Sequence, residues 1–190
     1  MTAQPRLILA SRSPQREAIL SRLGLEFEVV PSEVDELGVG DPVEVVIENS
    51  LRKAHAVARS IADDSAIVLG ADTVIVHEGD VIGKPRDAAQ AAEFMRRLSG
   101  QEHQVLGGVA LVGPEGSERT AHTATKVTFR DLSAEQIELY VATREWEERS
   151  GGYAIQQGGS ILVESIEGDY LNIIGLSVND LRRIAPELIS

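Results

Sequence analysis

Residues 6–23, RLILASRSPQREAILSRL, decide the fold class. Arg6 to Ala10 is a short apolar run that reads as a buried strand, and Pro14 to Leu23 reads as an amphipathic helix. Ser13 stands as its N-cap and Pro14 at its first position, where a missing N–H costs nothing. Ser11, Ser13, free backbone N–H groups and Arg16 then converge on one helix N-terminus, which suits an anion such as a phosphate. Taken alone, the same residues describe an ordinary capped helix.

Outward from that unit, strands and helices keep alternating. Phe27 to Pro31 predicts a strand, and Pro42 to about Ala62 a long helix with an Asp41/Glu44 capping box. Val43, Ile47, Leu51, Ala54, Ala58 and Ile61 give that helix a buried stripe. Ala66 to Ala71 reads as a central strand that Asp72 and Thr73 interrupt, with a hairpin following around Glu78-Gly79-Asp80. Asp87 to Ser99 and Ser133 to Thr143 read as capped helices, the second with a Ser133/Gln136 box. His103 to Val112 and Ala121 to Phe129 alternate like paired strands. Ile161 to Ile166 and Tyr170 to Ile174 read as a hairpin around Glu167-Gly168-Asp169, and Ser177 to Ala185 as the last helix. The expectation is an α/β (α+β) chain with a mixed sheet, forming one domain over residues 1–190.

Composition narrows the chemistry. The chain has 190 residues, no cysteine and a net charge of −12. Disulfides, thiolate zinc sites and a cysteine nucleophile are excluded. No basic face for a nucleic acid polymer is visible, no run approaches a membrane span, and the N-terminus lacks the shape of a signal peptide. With 18 Lys and Arg against 30 Asp and Glu, the placement of cations is informative. No GxxxxGK[ST] loop, GxGxxG fingerprint, GxSxG elbow or metal-spaced histidine set is present.

Asp72 is the sharpest single residue. A carboxylate beside Ile67, Val68 and Leu69 is costly unless cations, a metal or backbone N–H groups satisfy it. Lys84 precedes Pro85, which holds it extended on a rigid loop. Lys53 lies off the apolar stripe of its helix, where a snorkelling surface lysine is the default. Glu33, Asp35 and Glu36 form an acidic cluster; with Asp72, one of them could hold a divalent cation, or the cluster is simply a solvated turn.

The ordered segments LILASRSPQR (7–16), SEVDE (32–36), RKAHAVA (52–58), LGADTVIVHEGDVIGKPRD (69–87), RRLSGQEHQVLGGVAL (96–111), TKVTFRDLS (125–133), GGYAIQ (151–156) and IEGDYLNIIGL (166–176) resemble the Maf family of nucleoside triphosphate pyrophosphatases. The resemblance implies an inosine-triphosphatase-like fold: an elongated mixed sheet with flanking helices and two lobes around a nucleotide cleft. It implies cytoplasmic homodimers that use Mg²⁺ or Mn²⁺ to cleave nucleoside triphosphates between the α and β phosphates. A link to arrest of cell division and to removal of non-standard nucleotides comes with it. Carried onto matching positions, Asp72 is the proton acceptor, Glu36 (or Asp35 beside it) the acidic metal residue with Asp72, and Arg16, Lys53 and Lys84 the triphosphate cations. Ser11 and Ser13 hold phosphate oxygens. Thr73 and Gln156 match the dTTP/UTP branch, whereas Gln15 stands where that branch carries an Arg. The loop also departs at Gln157, usually Gly, and Ser177 replaces a common Pro. Two rivals remain: a nucleotide-binding division regulator with little turnover, and a purine pyrophosphatase acting on ITP, XTP or 7-methyl-GTP.

Overall fold

A computed structural model of the chain describes residues 6–61, 63 and 65–189. The N-terminal residues on which the reading of no signal segment partly rests lie outside the described residues, as does Ala62. Thirteen labelled elements carry the argument. They are β1 (Leu7–Leu9), α1 (Pro14–Arg22), β2 (Phe27–Val29), α2 (Pro42–Ser60), β3 (Ile67–His77), β4 (Asp80–Ile82), α3 (Ala88–Leu98), β5 (Glu102–Val112), β6 (Glu118–Phe129), α4 (Ala134–Ala142), β7 (Val163–Glu167), α5 (Tyr170–Ile174) and α6 (Val178–Ile184). The strands form one mixed sheet in the order β2-β1-β3-β5-β6-β7, with β4 on β3. Strands β1, β2 and β3 run parallel, and the pairs from β3 through β7 antiparallel.

Asp72 and Thr73 do not interrupt the central strand. They sit inside β3 and pair with Gly108 and Gly107 of β5. The other edge of β3 is shared between two short strands. β1 covers Ile67 to Leu69, and β4 covers Ile75 to His77. Between them, Gly70 to Val74 has no strand partner on that side among the described residues, and the sheet is notched there.

Alternation along β3 assigns its two faces. Val68, Gly70, Asp72 and Val74 point toward α2, which packs its Ala54, Val57, Val45 and Val46 against that face. Gly70 and Gly108 are needed here, because a Cβ on either would overlap the backbone carbonyl oxygens of Ser50 and Val46. α2 therefore lies directly on the sheet. The opposite face carries two cores at the two ends of the long strands. One gathers α1, α6, Leu69 and Leu111; the other gathers α3, α4, Ile75, Val105 and Val127.

The segment read as a hairpin is different. β7 ends at Glu167, and Tyr170 to Ile174 is a helical turn capped by Asp169, whose carboxylate accepts from Leu171 N and Asn172 N. The apolar alternation there was misleading because Asn172 points into the sheet. Its amide donates to Val105 O, Thr123 O and Thr125 Oγ1, close above Gly107. The Ser133/Gln136 box forms as expected; the Asp87/Gln90 box that the spacing also predicts forms only by half, since Asp87 Oδ1 accepts from Gln90 N while Gln90 Oε1 accepts from Arg86 N.

Candidate active site

The notch in β3 opens into a cleft of about 800 Å³. Ser11, Ser13, Gln15, Arg16, Glu36, Lys53, Asp72, Thr73 and Lys84 all line it. They come from the turn before α1, the first turn of α1, the loop before α2, α2 itself, β3, and the segment after β4.

At its floor, Asp72 is 5% exposed on the α2 face of the sheet. Its Oδ1 accepts from Lys53 Nζ at 2.7 Å, and its Oδ2 accepts from Asn49 Nδ2 at 2.9 Å. Burial is the largest single influence on this carboxyl and pushes its pKa up. The Lys53 charge and hydrogen bond, the Asn49 hydrogen bond and the Arg16 charge together outweigh it and hold the group below its ordinary value.

Lys53 is buried, which corrects the surface reading of its helix position. The close approach of α2 to the sheet turns its side chain inward beneath the cleft. Its ammonium also meets Glu36 Oε1 at 2.7 Å and Ala71 O at 3.4 Å. Glu36, and not Asp35, is thus the acidic residue that reaches the floor. Asp35 lies on a separate groove with Arg52, whose Nη1 donates to the Asp35 carbonyl at 3.5 Å.

Two carboxylates within reach of one point, at present bridged by an ammonium, are a donor set that suits Mg²⁺ or Mn²⁺. Such ions take one or two carboxylates and complete their shell with phosphate oxygens and water. Among the described residues no group of three or more His, Asp or Glu side chains could hold an ion without such help.

The other wall belongs to the capped turn. The Arg16 guanidinium donates from Nε to Gly175 O (2.8 Å), from Nη1 to Ser11 Oγ (3.1 Å) and from Nη2 to Thr73 Oγ1 (3.4 Å). Burial lowers its pKa against the pull of Asp72 and Glu36, yet a guanidinium in this setting stays charged. Ser13 Oγ accepts from Arg16 N and donates to Gln15 Oε1 at 3.1 Å, so Gln15 is held over the helix start. Lys84 is half exposed at the mouth, its Nζ 3.5 Å from Glu148 Oε2. Gln156 is different: it is exposed and does not line the cleft. The GGYAIQ segment (151–156) reaches the site through Tyr153 and, just before it, Ser150, whose Oγ donates to Thr73 O at 2.9 Å.

Asn49 was missed from sequence. Its signal was its place four residues before Lys53, one helical turn away on the same face of α2. Ser150 had none, because nothing local ties it to Thr73.

The arrangement can do three things. It can surround an anion with Arg16, Lys53, Lys84 and the N-terminus of α1. It can offer two carboxylates to a cation. It can keep one of those carboxylates ionised in a site largely shielded from water.

The family model described as Maf-like protein matches residues 6–188. Curated relatives named dTTP/UTP pyrophosphatase include one from Moorella thermoacetica, 49% identical over 174 residues, covering 90% of this chain and 89% of the relative. Another, from Bacillus cytotoxicus, is 42% identical over 180 residues and covers 94% of this chain and 93% of the relative. Among solved structures, the Ham1 protein of Staphylococcus aureus aligns with a TM-score of 0.52 at 14% identity, over 97% of this chain and 93% of that one. A HAM1 protein from Coxiella burnetii aligns at 0.50 and 16% identity, over 84% and 91%. These two likenesses concern the fold, and they agree with the sheet and flanking helices described above.

Proposed function

The chain belongs to the Maf-like protein family, and from that premise we propose that it hydrolyses nucleoside triphosphates, dTTP and UTP foremost, to a nucleoside monophosphate and pyrophosphate. The observation that carries the reading is the ionised, buried Asp72 on the floor of a cleft walled by Arg16, Lys53 and Lys84. The names of the relatives supply the reaction and the pyrimidine preference.

The chemistry required is mainly positioning and charge neutralisation. Arg16 and Ser11, with the N-terminus of α1, take phosphate oxygens at one end of the cleft, and Lys84 takes them at the mouth. Lys53 exchanges its carboxylates for phosphate as the triphosphate enters. That exchange frees an oxygen of each carboxylate for a cation or for the attacking water. Asp72 then accepts a proton from the water that attacks the α phosphorus, and pyrophosphate departs toward the cations. Glu36 and Asp72 would hold Mg²⁺ or Mn²⁺, which supplies charge neutralisation on the phosphate oxygens. Thr73, bonded to Arg16, and Gln15, over the start of α1, would meet the substrate beside these phosphate contacts, as the residues the resemblance marks for specificity.

A homodimer and a cytoplasmic setting belong to the same proposal; no described helix is long and apolar enough to cross a membrane. The test is Asp72→Asn, assayed by pyrophosphate release from dTTP. Turnover should fall by about a hundredfold or more with the far-UV circular dichroism unchanged. Near-normal turnover refutes the assignment. A panel of dTTP, UTP, ITP and 7-methyl-GTP on one preparation tests the substrate class, and preference for either purine overturns it.

A further inference from the structure

The acidic loop before α2 has no regular structure from Val30 to Gly38, yet it must deliver Glu36 to a fixed point. One side chain couples it to the rest of the site. Asn49, 1% exposed on α2, accepts at Oδ1 from Leu37 N (2.7 Å) and donates from Nδ2 to Leu37 O (3.1 Å). The same Nδ2 donates its second hydrogen to Asp72 Oδ2. Both amide hydrogens are used. The orientation is fixed by its partners, since Leu37 N only donates and the Asp72 carboxylate only accepts. Side chain and loop backbone are joined like two residues in a strand ladder, with a third arm reaching the carboxylate.

We propose that Asn49 is the positioning residue of this site: one amide fixes the loop that carries Glu36 and the outer oxygen of Asp72 together, setting the separation of the two carboxylates. The proposal rests on the hydrolytic reading above. Several features make the coupling effective. Leu37 adjoins Glu36, so little slack separates the fastened backbone from the carboxylate. The Asn side chain is short, and it reaches both partners only because Gly70 and Gly108 let α2 lie on the sheet. Lys53, one turn further along α2, meets the inner oxygen of Asp72 and Glu36. One helix face thereby holds both acids, the lysine as the part that can exchange for phosphate and the asparagine as the part that stays.

Asparagine is specific to this task. Aspartate would keep the acceptor for Leu37 N but lose both donated bonds and set a like charge against Asp72. Alanine would remove the amide from both, leaving the two acids held only through Lys53, the part that exchanges for phosphate. Neither change touches Arg16, Ser11 or Lys84, which take the phosphates. The loss should therefore appear in kcat and leave KM nearly intact.

The experiment compares wild type, Asn49→Ala, Asn49→Asp and Asp72→Asn. For Asn49→Ala, kcat on dTTP should fall by about tenfold to a hundredfold, the scale of a misplacement near 1 Å, with KM moving by less than about threefold. Amide hydrogen exchange at Leu37, read without substrate, should accelerate at least about tenfold as its side-chain acceptor is lost. In Asn49→Asp, Leu37 should keep more of its protection than in Asn49→Ala, while kcat falls at least as far. The Asn49 side-chain amide resonance should shift between wild type and Asp72→Asn, which tests the contact even if the Asn49 variants fail to fold. An unchanged kcat, a loss confined to KM, unchanged Leu37 exchange or an Asn49 resonance indifferent to Asp72 each overturns the proposal. If Asp72→Asn keeps its turnover while Leu37 exchange responds as expected, the hydrolytic reading fails and the loop fastening stands.

Discussion

Replacing Lys53 with Met puts a number on the floor of the cleft. The side chain fits the same space, and the ammonium is lost. Two carboxylates lose a partner at 2.7 Å, but they are not equivalent. The Glu36 side chain is 41% exposed, so water replaces most of what it loses, and its share is below about 1 kcal/mol. Asp72 is 5% exposed and keeps, among the described residues, only Asn49 as a direct side-chain partner. At 2.7 Å and an effective dielectric constant near 20, the lost attraction is about 6 kcal/mol before desolvation of the ammonium is set against it. Breaking a buried pair from one side typically costs about 3–5 kcal/mol. With Asn49 and Arg16 still favouring the anion, we expect about 3 kcal/mol at pH 7.5. In urea, with a slope of about 2 kcal/mol/M, the midpoint should fall by about 1.5 M. The sign with pH follows from Asp72. Its folded pKa is depressed in the wild type, so its contribution is present above the unfolded value and is lost as pH falls through the folded one. Without Lys53 that pKa rises, and the variant sheds its buried charge earlier on acidification. The stability gap should therefore narrow as pH falls from 7.5 toward 4.5. Adding Asp72→Asn should remove most of the penalty, because a missing ion pair costs far less than half of one. A Lys53→Met protein as stable as wild type, or a penalty undiminished in the double variant, would refute the reasoning.

Three further outcomes follow from the same geometry. Gln15→Arg places a planar, permanently charged fork over the start of α1, and the ratio of kcat/KM for dTTP and UTP over CTP and GTP should rise; an unchanged ratio removes residue 15 as a selector. Gly70→Ala drives a Cβ into the Ser50 carbonyl and forces α2 off the sheet, so urea midpoint and turnover should fall together, by about 1–3 kcal/mol in stability; wild-type values would contradict the packing. His103 is buried edge-on to Phe129 and Tyr153, and burial with the neighbouring His77 lowers its pKa to about 4. Its contribution is present above the unfolded pKa of about 6.5 and is lost as pH falls toward 4. His103→Phe should flatten the loss of stability across that window, and an unaltered slope would show that the proton is taken up elsewhere.

How much of this was legible in the chain depends on how local each determinant is. The α1 unit was read to within a residue, because Ser13 and Pro14 fix its start whatever packs on it. The long β3–β5–β6 ladder was nearly readable from alternation. The exception was Asp72: sequence rules treat a carboxylate in an apolar run as an ending, and only Lys53 and Asn49, from a helix packed across the sheet, let it remain mid-strand. The helix wheel alone puts Lys53 outside for the same reason, while its partners bring it inside, where the resemblance places it. Tyr170 to Ile174 has strand-like composition, but Asp169 caps it and Asn172 anchors it to carbonyls of distant strands. The resemblance points to Glu36, Arg16, Lys53 and Lys84, which line the cleft, and also to Gln156, which lies outside it.

The notch in β3 has a mechanical consequence. On one side of Asp72 the strand gives up its neighbours, while on the other β5 and β6 continue unbroken from one core to the other. A hinge between the cores would have to bend three hydrogen-bonded strands at once, so the two ends of the cleft are braced at a fixed spacing. The sheet is a stiff frame with a slot cut in one margin. Asn49 fastens the loop carrying Glu36, and Ser150 is tied to Thr73, so adjustment is left to the exposed side chains at the mouth, Lys84 and Glu148. A ligand would be gauged by a rigid span, so changes of fit should come from altering the side chains at its mouth and not from loosening the frame.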